Sequence, residues 1–237
     1  PEKIETGWVT NHLSTSLQVL RRTETEYDWR RLPTVTRGYG ASGSAQTATQ
    51  TSYDGRNRQQ CVAVRMNPAI FASLPAGACQ MGTTGPDGPD RISRTYYDTE
   101  GRVAKIQQGF GTTLQRDYAT YTYTDNGQRK SVTDARGYRS DLRYDGYDRL
   151  RRWVFPNPQA LATVNEADFE EYTYDKNGNR TQLRKRDGSL ILSQYDALNQ
   201  LTLKSVSAPP SLSYLSSFPL HGKYSPHLTT SPSTLHR

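Results

Sequence analysis

Large apolar side chains are scarce. Of 237 residues only 33% are hydrophobic, with five phenylalanines, two methionines and three tryptophans, so a thick core is excluded. No run of eighteen apolar residues occurs, which excludes a membrane-spanning helix, and the opening PEKIETGWV lacks the apolar stretch of a signal peptide. The first residue is not methionine, and the expectation is an internal piece or a processed start. Histidine is nearly absent too. His12 stands alone before His221, His227 and His236 near the C-terminus, which leaves a nucleophile triad without its base and a zinc site without ligands. With two cysteines, Cys61 and Cys79, a disulfide-dense scaffold is excluded as well. No Gly-rich loop follows a strand and opens a helix, so nucleotide binding and cofactors are not expected.

What is present is tyrosine, arginine and turn residues. Sixteen tyrosines carry much of the apolar content, and aromatic and β-branched side chains favour strands. The formal charge is +7 and 23 of the 30 basic residues are arginine. The cations alternate with acids, as where Arg149, Arg151 and Arg152 follow Asp145 and Asp148, so a solvated repeat surface is expected and not a nucleic-acid interface.

A tyrosine followed by a short turn recurs at Tyr27, Tyr53, Tyr97, Tyr123, Tyr144, Tyr174 and Tyr195, at intervals of 26, 44, 26, 21, 30 and 21. Aspartate follows it as Asp28, Asp54, Asp98, Asp145, Asp175 and Asp196, with Thr124 the exception. Four positions after the tyrosine stand Arg31, Asn57, Gly101, Gly127, Asp148, Gly178 and Asn199, and all but Arg31 are types that tolerate left-handed backbone. An aspartate that caps the turn and a left-handed residue three places later predict a type I turn closing a β-hairpin. Further turns around Gly137 and Gly188 return the chain, which predicts an all-β antiparallel hairpin meander. Alternation in Tyr121 and Tyr123 against Thr120 and Thr122, and in Tyr172 and Tyr174 against Glu171 and Thr173, predicts one aromatic and one polar face.

The segments YDTEGRV, YTDNGQR, YDGYDRL, YDKNGNR and YDALNQL resemble the YD repeats of RHS and teneurin-like proteins. The resemblance spans about Tyr27 to Leu203. It implies β-ribbons that spiral into a hollow shell, which in bacterial relatives encloses a C-terminal toxin or joins a cell-surface assembly. The expected partners are then the rest of a longer RHS chain or its enclosed C-terminal segment, with secretion or surface display. Cell-surface carbohydrate is the alternative partner. The Asp-Pro pair tied to self-cleavage in such relatives does not occur here, so neither that step nor a toxin carries over.

Outside the repeat, residues 1–26 are left unassigned, with LSTSLQVL either a strand pair or a short helix. Residues 41–52, without charge or large side chains, predict a hairpin tip or link. Residues 61–92 form an insertion, expected to pack through Ile70, Phe71 and Leu74. Its two cysteines predict a loop-closing disulfide after export, or two free thiols otherwise. Residues 204–237, rich in serine and proline and with no acid after Asp196, predict disorder. Glu170 with Glu171, or Asp145 with Asp148, are the acid pairs open to catalysis. Strand alternation separates the first and turns occupy the second, so no enzyme is expected.

Overall fold

A computed structural model describes residues 2–8 and 18–207. The expectation for the C-terminal tail beyond Ser207, and most of LSTSLQVL, lie outside the described residues. Fifteen strands follow one another: β1 (Glu2–Trp8), β2 (Gln18–Tyr27), β3 (Pro33–Gly40), β4 (Ala45–Tyr53), β5 (Gln59–Arg65), β6 (Arg91–Tyr97), β7 (Val103–Gln108), β8 (Arg116–Tyr123), β9 (Arg129–Asp134), β10 (Arg139–Tyr144), β11 (Leu150–Pro156), β12 (Val164–Tyr174), β13 (Arg180–Arg184), β14 (Leu190–Tyr195) and β15 (Leu201–Ser207). The only helix among the described residues is one 3₁₀ turn, Pro68–Ile70. The all-β meander is therefore the fold. The chain divides after Thr173 into two compact units. In the first, every strand pairs antiparallel with its neighbours in sequence, from β1 to β12, and in the second β13, β14 and β15 do the same.

Each tyrosine turn closes in one way. Arg31, Asn57, Gly101, Gly127, Asp148, Gly178 and Asn199 all have φ between 59° and 88°, and the amide of each donates to the carbonyl three residues back. Arg31, the wrong residue type, adopts φ 64° nonetheless. Asp28 Oδ1 accepts the amides of Arg30 and Leu32 at 2.9 Å each and holds the turn shut around it. The turns at Gly137 and Gly188, at the opposite ends of their strands, repeat the geometry. Beyond the turns at Tyr27, Tyr53, Tyr97, Tyr123, Tyr144 and Tyr195 the returning strand carries one extra residue, as where Tyr144 faces Leu150 but Arg143 faces Arg152. Such bulges strengthen the local twist. No side chain or backbone crowds Gly178, whose φ is 88°. Gly178→Val should therefore cost about 1 kcal/mol or more through backbone strain alone, measured by chemical unfolding; wild-type stability would refute the turn.

Residues paired across a ladder share a face. On that basis Tyr27, Tyr53, Tyr97, Tyr123 and Tyr144 lie on one face, at the turn edge, and Tyr121 shares it as expected, while mid-strand that face mixes Tyr121 and Trp153 with Thr36, Thr49, Val62, Thr95, Ile106, Val132 and Leu142. The expected split into an aromatic and a polar face needs correction. The other face holds charges and also most of the buried core: Val35, Ala48, Cys61, Ala63, Ile92 and Val154. The signature tyrosines are edge residues, so their alternation does not mark the core side.

The insertion sits on that core face. Its bounds shrink, because Cys61 to Arg65 belong to β5 and Arg91 and Ile92 to β6. Residues 41–52 are corrected as well, since Ala45–Tyr53 is strand β4 and only 41–44 form a tip. Two of them are buried: Ala48 is 1% exposed, and Gln50 donates through its side chain to the Pro75 carbonyl of the insertion. The first residues, left unassigned, supply β1 and most of β2.

Phe71 is buried, and Ala78 joins Cys61, Ala63 and Ile92 in a cluster against Cys79, Met81 and Phe110. Cys61 is bonded to Cys79. Beneath them Arg65 and Asp90, 0% and 1% exposed at their side chains, form an ion pair at 2.6 Å. Arg65 also donates to Gln50 and to the carbonyls of Gln80 and Gly77. Asp90 accepts the amides of Met66 and Gly82.

Candidate functional site: the tyrosine turn edge

The repeated chemistry of the chain lies along the edge where the tyrosine turns stand. Between hairpins the ladder stops short of this edge. The β9–β10 pairing ends at Ser131 and Asp141, which leaves the Arg129 carbonyl without a strand partner. Tyr144 fills the gap, its hydroxyl donating to Arg129 O at 2.8 Å. The same bond recurs from Tyr53 to Pro33 O, Tyr97 to Gln59 O, Tyr123 to Val103 O and Tyr195 to Arg180 O, at 2.7–3.2 Å. In each case the acceptor stands six residues after the preceding signature tyrosine. Tyr27 donates to Glu2 instead. The tyrosine is thus a clamp from one hairpin to the one before it, and it gives a protein donor to a carbonyl at the sheet edge that the ladder leaves unpaired. Burial raises the Tyr144 pKa above the ordinary phenol value, with Arg129 opposing. Tyr144→Phe keeps the ring and loses the bond, and should lower stability by about 0.5–1 kcal/mol in chemical unfolding. An unchanged midpoint would show the clamp idle.

Arginine ties this clamp to the turn. Arg58, Arg102 and Arg149, five residues after their tyrosines, pair with Asp54, Asp98 and Asp145 of their own turns at 2.7 Å. The guanidinium of Arg58 then lies over the Tyr97 ring, 4.1 Å from its centroid, and that of Arg102 over Tyr123 at 4.4 Å. Hydrogen bonds hold the turn carboxylates ionised. The Arg58 amide is the main cause for Asp54, the Arg149 side chain for Asp145 and the Asn179 side chain for Asp175, and each pKa lies below the ordinary value. This arginine is a functional residue outside the Tyr-Asp and Gly/Asn signature. Its signal was the spacing Tyr-Asp-x-x-x-Arg in three of the units.

The structure therefore gathers the aspartates and glycines of the signature into the turns and Tyr53, Tyr97, Tyr123, Tyr144 and Tyr195 into the clamps, while Cys61 and Cys79 lie apart under the insertion. Neither candidate acid pair is free. Asp145 holds the amides of Tyr147 and Arg149, and Asp148 accepts from Asn126 at 2.9 Å. Glu170 accepts from Tyr172 and Glu171 from Arg152, on opposite faces of β12. A cleft of about 500 Å³ opens between the turns after Tyr123 and Tyr144, lined among others by Lys130, Asp141, Arg143 and Asp148. Among the described residues no three histidine, cysteine or acidic side chains gather as a metal site, and no helix is long and apolar enough to cross a membrane.

No protein-family model matches the sequence, and no curated protein is similar to it. Among solved structures the chain is similar to TcdB2–TccC3 without its hypervariable C-terminal region, at TM-score 0.48 and 13% identity over 79% of this chain. It is similar to TcdB2–TccC3 at TM-score 0.47 and 16% identity over 81%. A further match is the Photorhabdus luminescens Tc holotoxin pore, at TM-score 0.48 and 12% identity over 81%. The chain spans 10% to 11% of the length of those chains.

Proposed function

We propose that this chain is structural, a stretch of wall in a secreted or surface protein of the RHS type, which encloses or displays another segment and performs no catalysis. The observation that carries the reading is the tyrosine clamp. One contact, repeated from hairpin to hairpin at a constant spacing, extends a sheet, and the carboxylates that could do chemistry are engaged by turn amides, by the neighbouring turn or by side chains of the sheet. The disulfide between Cys61 and Cys79 favours an oxidising compartment. The partner is the remainder of a longer chain or the segment it encloses.

Within the described residues neither the outer edge of β1 nor that of β15 is paired, and β15 is exposed throughout. Open edges and uncovered faces recruit further strands. The isolated chain should therefore associate in size-exclusion chromatography with light scattering. A monodisperse monomer of 26.7 kDa with a sharp cooperative melt would overturn the wall reading.

A carbohydrate-binding module is the second reading, and exposed rings at the turn tips favour it. Trp29 is 91% and Tyr147 82% exposed, whereas the signature tyrosines are engaged as clamps. A glycan array with Trp29→Ala and Tyr147→Ala separates the two. Sugar binding lost in these variants supports the module, and no binding by the wild type removes it.

A further inference from the structure

We infer that the turn tips carry a pairing code of their own: the third residue after one signature tyrosine donates to the fourth residue after the next, and this sets which hairpin can follow which. Arg30 donates to Asn57 Oδ1 at 2.5 Å. Asn126 donates to both carboxylate oxygens of Asp148 at 2.9 and 3.2 Å. Asn177 donates to Asn199 Oδ1 at 2.9 Å, and Asn179 reaches the same oxygen at 2.8 Å.

These acceptors occupy the left-handed turn position, with φ of 62°, 59° and 60°, where glycine is the residue of least strain. Turn formation alone does not call for Asn or Asp there. After the first unit, each non-glycine residue at that position is met by a donor from the preceding tip. At Gly101 and Gly127, among the described residues, the preceding tip makes no such bond. Arg56 donates past Gly101 to the Thr99 carbonyl at 3.3 Å, and Glu100, an acceptor, precedes Gly127 and accepts from Thr99 and Arg102 in its own turn. The code is legible as a donor set before an Asn or Asp, whereas a donor set before glycine, as Arg56 before Gly101, finds no side-chain acceptor at that position; the bonded residues lie 20 to 27 apart in sequence. It is independent of the wall reading, because it concerns which neighbours the hairpins accept and not what the sheet encloses.

Hydrogen exchange by mass spectrometry on the full chain tests it, since each tip reports separately. Asn126→Ala should speed exchange in the tip it does not belong to, residues 144–150, by about two- to fivefold, the loss of one exposed hydrogen bond. Asp148→Gly should relax its own turn yet speed exchange in residues 123–129. Asp148→Asn should restore protection, because the amide oxygen still accepts, and the double variant N126A/D148G should exceed neither single one. Asn126→Asp, which sets two carboxylates against each other, should do more harm than Asn126→Ala and be relieved by Asp148→Asn. Effects confined to the mutated turn, an equal rise across the whole chain, or no cross-tip effect of Asp148→Gly would each overturn the code.

Discussion

Replacing Asp90 by alanine should destabilise the protein by about 3–5 kcal/mol, more than any other single change considered. The side chain is buried with Arg65 at 2.6 Å, so its loss leaves a guanidinium uncompensated in a site that water does not reach. The amides of Met66 and Gly82 lose their acceptor at the same time, and each adds a desolvation cost. A domain of this kind has only about 5–15 kcal/mol in total. The insertion should come loose first, since both ends of residues 66–90 are fastened by this pair. Chemical unfolding gives the magnitude, and hydrogen exchange in residues 66–90 gives the place. A variant that keeps the wild-type midpoint would show that the pair is not what holds the segment.

The same carboxylate sets a sign for pH. Burial opposes its ionisation, but the Met66 and Gly82 amides and Arg65 outweigh it, and the pKa of Asp90 lies below the ordinary value. A depressed pKa contributes stability that is present above the unfolded value, about 3.9, and is lost as pH falls through the folded one. The turn aspartates Asp54, Asp145 and Asp175 shift in the same direction. Acid below about pH 4 should thus weaken both the insertion and the turns.

The turns were legible in the sequence because their causes are local. Asp145 caps its own turn through amides two and four residues on, and the left-handed residue is three places away, so one short window holds donor, acceptor and backbone requirement. The case of Arg31 marks the limit of residue type as a guide: Asp28, through the amides of Arg30 and Leu32, imposes a conformation that arginine does not favour. The tyrosine's role was not legible. Its partner carbonyl lies on another hairpin, 15 to 38 residues away, and a carbonyl has no sequence signature. The core side was misjudged for a related reason. Arg65, Gln50 and Asp90 meet from β5, β4 and the insertion with separations of 15 and 25 residues, and polar side chains at the centre of a buried network look like surface residues when read singly. Gln50 is buried because its side chain meets the Pro75 carbonyl of the insertion, a cause that sits outside its own segment.

Reduction of the Cys61–Cys79 bond should be the second large effect. The bond closes a loop of 18 residues, and in the chain-entropy model such a closure stabilises by about 3 kcal/mol. Protein made in an oxidising compartment should resist alkylation until reduced, and then gain the mass of two alkyl groups. Two freely alkylated thiols in unreduced, exported protein would remove the bond and weaken the case for secretion. The loss on reduction should fall on the insertion and spare the repeat strands, because Cys61 keeps its ladder to Ser52 and Arg94 without the bond. Disulfide and ion pair fasten the same segment, so their effects should not add. Once Asp90→Ala has freed residues 66–90, the bond restrains a segment already loose, and reducing it should cost less than in the wild type. Equal losses on reduction in the two proteins would mean that bridge and ion pair hold separate pieces, and that the insertion is two structures and not one.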